Sequence, residues 1–123
     1  MKDLFVTYKV SKLMSEIGFD KNCIGYYDNQ KRFDLSDPIN NSRYNSSPLC
    51  KGYYSAPTLE QAINWLMDNH NIFILPHITF DDKNGHWYYY SIKYRKNSDF
   101  TEGSFNRNQA LETAILEALN LIK

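Results

Sequence analysis

Three stretches of the chain repeat apolar residues at the three-to-four spacing that gives a helix one buried stripe. The first follows Thr7 and sets Val10, Leu13, Met14 and Ile17 on one face. Thr7 suits a helix N-cap, and Gly18 stands where a left-handed C-terminal cap is wanted. The second opens at Thr58 after Pro57, with Gln61 three residues on completing a capping box. Its predicted buried face is Leu59, Ala62, Ile63, Leu66 and Met67. The third opens near Asn106, with Gln109 in the same reciprocal position. Leu111, Ala114, Ile115, Ala118, Leu119 and Ile122 give it the broadest stripe of the three. The openings Thr58-x-x-Gln61-Ala62-Ile63 and Asn106-x-x-Gln109-Ala110-Leu111 match, but six residues are thin ground for a duplicated unit. Capping chemistry arising twice accounts for them.

Strand patterns fill the intervals. Residues 23–27 and 32–35 flank Asp28-Asn29-Gln30-Lys31, which reads as a hairpin turn. Residues 72–80 and 86–95 flank Asp81-Asp82-Lys83-Asn84-Gly85, a second and stronger hairpin. In its last strand Tyr88, Tyr90, Ile92 and Tyr94 alternate with Trp87, Tyr89, Ser91, Lys93 and Arg95, and the first set is predicted to face the helices. Pro76 marks the partner strand as an edge or the site of a bulge. The order α-β-β-loop-α-β-β-α predicts one α+β domain over residues 1–123. It would be a mostly antiparallel sheet built from two hairpins, with three helices on one face and the third across its centre.

Residues 36–57 show neither period and read as a long irregular loop rich in Asn, Ser and Pro. The loop nevertheless carries Arg43, Tyr44, Leu49, Tyr53 and Tyr54, more apolar surface than a solvated linker needs. Either these tyrosines pin the loop to the body, or they form a recognition surface.

Composition narrows the function classes. At 123 residues, 42% hydrophobic and 23% charged, the chain can close a core without staples. Aromatics reach 15%, with ten Tyr, seven Phe and two Trp, residues that serve both cores and interfaces. Fourteen basic and fourteen acidic residues cancel. That balance argues against coating DNA or a membrane surface, where a positive excess supplies the affinity. It equally argues against an acidic DNA mimic. Two cysteines make no disulfide framework, and no charged segment followed by an apolar run opens the chain. The longest apolar run, 72–76, is too short to cross a bilayer, so a cytoplasmic location is expected.

No constellation nominates a catalytic residue. His70, His77, His86, Cys23 and Cys50 lack metal-ligand spacing, leaving His77 and His86 on opposite strands of one hairpin as a weak pair. In the turn at 81–85, counting back from Gly85 puts the first calcium-loop ligand on Phe80, and no Glu closes the loop. There is no nucleophile elbow and no glycine-rich phosphate loop. Asp20, Asp28 and Asp34 could approach one another, but aspartates near turns usually bond the backbone. No metal or cofactor is expected.

Binding is what remains. Arg43, Tyr44, Tyr53, Tyr54, Trp87 and Tyr89 are of the types that anchor protein interfaces. The alternative is a single-stranded RNA module, with Trp87 and Tyr89 stacking on bases and Lys93 and Arg95 meeting phosphates. An unprotected edge strand leaves a homodimer open.

Phe5-Val6-Thr7-Tyr8, Gly18-Phe19-Asp20, Cys23 and Gly25-Tyr26-Tyr27-Asp28 carry a resemblance, as do Ala56-Pro57-Thr58, Gln61-Ala62, Trp65-Leu66 and Tyr88-Tyr89-Tyr90-Ser91-Ile92. Outside the central loop, the chain resembles short phage and prophage accessory proteins of Bacteroidetes-type bacteria. The shared motifs are structural, and no site residue comes with them. What the resemblance implies is context. Such proteins include anti-CRISPR inhibitors, so the expected partner is a host protein, in particular a CRISPR effector nuclease or its RNA complex.

Overall fold

A computed structural model describes residues 2–35, 52–83 and 85–123. The chain divides into two compact units, Met1–Thr58 and Leu59–Lys123. Among the described residues are three α-helices and two three-stranded antiparallel sheets, an α+β fold. The two predicted hairpins lie in separate sheets rather than one, because each recruits a third strand that has no readable period.

In the first unit, Thr7 caps α1 (Tyr8–Ile17), its hydroxyl accepting the Val10 N–H at 3.5 Å. Gly18, at φ 115°, ends the helix. Its N–H donates to the Met14 and Ser15 carbonyls, and the Phe19 N–H donates to Met14 at 2.9 Å. That paired closure turns the chain back on itself, and Phe19 lands buried in the core with Met14. Strands β1 (Gly25–Tyr27) and β2 (Phe33–Leu35) form the first hairpin. Strand β3 (Tyr54–Ala56) pairs with the other edge of β1, so the order is β2-β1-β3. This end of the predicted loop is a strand because it pairs with β1, and three residues are too few to show alternation in the sequence. Upstream, Val6 donates its N–H to Pro57 at 3.0 Å and is fully buried.

The turn between β1 and β2 is organised by one carboxylate. Asp28 accepts the Gln30 and Arg32 N–H groups at 2.8 and 2.9 Å, and the Arg32 side chain at 2.9 Å. Asp34 instead accepts the Leu35 N–H, so these aspartates serve the backbone. The bonds to Asp28, the Arg32 N–H foremost, hold its carboxyl below the ordinary aspartate value. A pKa depressed on folding contributes stability that is present above the unfolded value and lost as pH falls through the folded one. Asp28→Asn should therefore melt lower than the native chain at pH 7. The difference should close in acid, as the pH falls through the lowered folded value. Thermal melts at both pH values check this.

In the second unit, α2 (Leu59–His70) and α3 (Arg107–Ile122) pack against each other and on β4 (Ile72–Asp81), and α3 also lies on β5 (Gly85–Tyr94). With β6 (Asn97–Phe100) the strand order is β4-β5-β6, so α3 crosses the central strand as predicted. Every predicted stripe residue of α3 is buried except Ile122, which is half-buried. Its cap is a relay rather than a reciprocal box. Asn106 accepts the Gln109 N–H at 3.0 Å, while Ser104 accepts the Asn106 N–H and donates to the Gln109 side chain. On α2 the buried stripe is turned by about one position. Trp65 is buried, Met67 is exposed and Ile63 is half-buried. Leu59, Ala62 and Leu66 fix the centre of the stripe, and the larger apolar flank, Trp65, gains more from burial than Met67.

Candidate protein-binding face

Strand alternation divides the second sheet into two unlike faces. Ile72, Ile74, Tyr90 and Ile92 are buried on the helix side; of the set predicted for β5, Tyr90 and Ile92 are buried while Tyr88 and Tyr94 are half-buried. The other side carries the odd-numbered residues. In register, Phe73 lies opposite Lys93, Leu75 opposite Ser91, His77 opposite Tyr89, and Thr79 opposite Trp87, with Phe100 of β6 beside Ser91. Phe73 is 43% exposed, Leu75 41% and Phe100 67%. Apolar side chains are gathered here and left open to solvent, which a folded chain tolerates chiefly at interaction sites.

The half-buried members of this face lean on one another. The His77 and Tyr89 rings stack at 5.0 Å, and both meet Phe100, at 5.6 and 5.9 Å. Trp87 stands edge-on to Phe105 at 4.6 Å. Beside it, Thr79, Phe80, Asp82, Lys83, Trp87 and Phe105 line an open cleft of about 510 Å³. Trp87 keeps its place because residue 103 has no side chain. A Cβ on Gly103 would fall 1.8 Å from the indole nitrogen. Gly103→Ala should displace the indole and cost about 1–3 kcal/mol of stability by overpacking. One of the two indole N–H resonances in an NMR spectrum should move while the other stays.

His77 Nε2 lies 3.0 Å from the Ser91 hydroxyl, a pairing that the hairpin register creates and sequence spacing does not reveal. Ser91 is 3% exposed, sunk between Leu75 and Phe100, so its oxygen is not presented to a substrate. The contact positions the imidazole on the face. His86 pairs with Phe80 and so points to the opposite side of the hairpin from His77, and the two do not meet. Among the described residues no three His, Cys, Asp or Glu side chains gather as metal ligands would.

The predicted binding residues are therefore distributed. Trp87, Tyr89 and Lys93 share the open face. Arg95 does not. It lies in the turn after β5 at φ 58°, with its guanidinium 5.0 Å from the Tyr94 ring centre. Alternation had extended the strand one residue too far. Tyr53 and Tyr54 belong to the first unit and are half-buried, Tyr53 stacked on Tyr26 at 6.1 Å and Tyr54 edge-on to Tyr8 at 5.7 Å. Arg43 and Tyr44 lie outside the described residues.

Phe73, Leu75, His77 and Phe100 were not foreseen. The run Ile72-Phe73-Ile74-Leu75 is apolar on both faces, so its sequence does not say which face meets the helices. Phe100 ends Asn97-Ser98-Asp99-Phe100, a segment of low strand preference that pairs because a tight turn brings it back on β5. Negative charge collects on the other side. Asp99 pairs with Ile92, and burial together with Glu102 and Asp99 pushes the Glu117 carboxyl up. Compared with family models, curated proteins and solved structures, the chain matches none. Among the described residues no helix is long and apolar enough to cross a membrane.

Proposed function

We propose that this chain is a non-enzymatic binding protein that docks on another protein through the aromatic face of its second sheet. The supporting observation is the set of exposed Phe73, Leu75 and Phe100 side chains on one face with half-buried His77 and Tyr89. There the rings of His77, Tyr89 and Phe100 meet one another. Aromatic side chains lose little freedom on binding and bury large areas, so such a cluster can anchor an interface. The resemblance to phage and prophage proteins directs the reading to host defence, as a stoichiometric inhibitor of a defence nuclease, in particular an RNA-guided one.

Co-expression with candidate RNA-guided nucleases should yield a co-purifying complex, and should restore plaque formation on the defended host. Phe100→Ala combined with Phe73→Ala should weaken that complex at least about thirtyfold, the loss expected of a hot spot, with the melting temperature little changed. Rescue by neither the native chain nor its variants across the defence systems of the host would remove the inhibitor reading.

Lys93 on the same face as Tyr89 and Trp87 supports a second reading, in which single-stranded RNA stacks on this face. A labelled oligonucleotide should then shift with steep salt dependence, and Lys93→Ala should reduce the slope by about one. Arg95→Ala should matter less, since its guanidinium is engaged with Tyr94.

A further inference from the structure

Strand β4 has a strand neighbour on one side only among the described residues. Hydrogen bonds on β5 decide what its other side offers. Tyr88 exchanges backbone hydrogen bonds with Ser104 at 2.8 and 2.9 Å. Tyr90 accepts the Thr101 N–H at 2.8 Å and donates its own N–H to the Thr101 hydroxyl at 3.1 Å. Even-numbered residues of β5 thus turn their backbone groups away from β4. In an antiparallel ladder, the residues opposite them must do the same in the other direction. Pro76, Ile78 and Phe80, which pair with Tyr90, Tyr88 and His86, therefore aim their backbone groups at the open edge. Pro76 has no N–H to offer and blocks the middle of that edge. Ile78 and Phe80 retain theirs.

The same two residues have the most open apolar side chains on the strand, Ile78 at 56% and Phe80 at 74%. No charged side chain occurs between Ile72 and Phe80. Natural edge strands are normally guarded by Lys or other charges against pairing with a further strand. Between Ile72 and Phe80 the guard is Pro76 alone, with a charge only at Asp81 where the strand ends.

We propose that two copies of this chain pair antiparallel along the distal half of β4, with Ile78 of each opposite Phe80 of the other. This register sets outward N–H groups against outward carbonyls in both copies. It puts Thr79 against Thr79 on the two-fold axis, where a hydroxyl pair is favourable. From Ile72 to Phe80 the edge carries no Asp, Glu, Lys or Arg to repel its own copy. Asp81 at the strand end falls opposite His77 of the other copy, and the Ile78 and Phe80 side chains cover each other. Two-fold pairing uses the same patch on both copies, so it closes at a dimer. Pro76 ends the ladder on either side.

Sedimentation of the full chain should show reversible dimers that grow in between about 10 and 500 μM, the range expected of a small interface. Ile78→Pro removes an outward N–H without removing any ladder bond to β5, so this variant should stay folded and monomeric. Phe80→Lys should also be monomeric, by placing like charges across the axis. In the native chain, the Ile78 and Phe80 amides should exchange at least about tenfold more slowly at the high concentration than at the low one. A native chain that stays monomeric throughout overturns the pairing. So does a dimer that survives either substitution, or amide exchange at Ile78 and Phe80 that ignores concentration. The exchange measurement decides the case even if Ile78→Pro fails to fold.

Discussion

Ile115→Asp should abolish cooperative unfolding of the unit formed by Leu59–Lys123. Ile115 is fully buried on α3, flanked along its own stripe by Leu111, Ala114, Ala118 and Leu119, all buried. The substitution removes a branched apolar side chain, worth about 2–5 kcal/mol in a packed core. It also forces a carboxylate into surroundings without a partner, or obliges it to take up a proton, at a further cost of several kcal/mol. Together these exceed about 5 kcal/mol, comparable with the whole stability of a small domain. Denaturant melts should lose their sigmoidal transition, and the α3 amides should lose protection from exchange. A folded, cooperative variant would show that α3 is not the centre of this core.

Phe19→Ala should have the next largest effect, in the other unit. Phe19 is the second residue past α1, and its N–H closes on Met14 at 2.9 Å. The ring is buried, as are Met14 and Val10 on α1. Truncating it leaves a cavity and costs about 3–5 kcal/mol. It also strips the hydrophobic contact that usually accompanies this helix ending. Phe19→Leu should recover more than half of the loss, because it refills most of the volume. Denaturant melts of the two variants make the comparison, and equal losses would mean that ring packing is not what Phe19 supplies.

Where the apolar pattern was long and one-sided, the sequence alone determined the outcome. The three helices, their Thr7, Gly18 and Asn106 caps and both hairpins follow from local chemistry, because each rests on residues within a turn or two of one another. Trp87, Tyr89 and Lys93 were legible as face-mates from alternation for the same reason. Decisions that depend on partners distant in sequence were not legible. β3 and β6 are strands because β1 and β5 present edges to them, and neither segment has enough pattern to announce it. Trp65 rather than Met67 went inward because two apolar flanks compete for one helix stripe, and only packing ranks them. The open face drew Phe73, Leu75, His77 and Phe100 from three strands whose side chains alternate identically whichever side the helices choose. Tertiary structure made that choice by laying α2 and α3 on one side of the sheet, and so decided which aromatic residues remain in water.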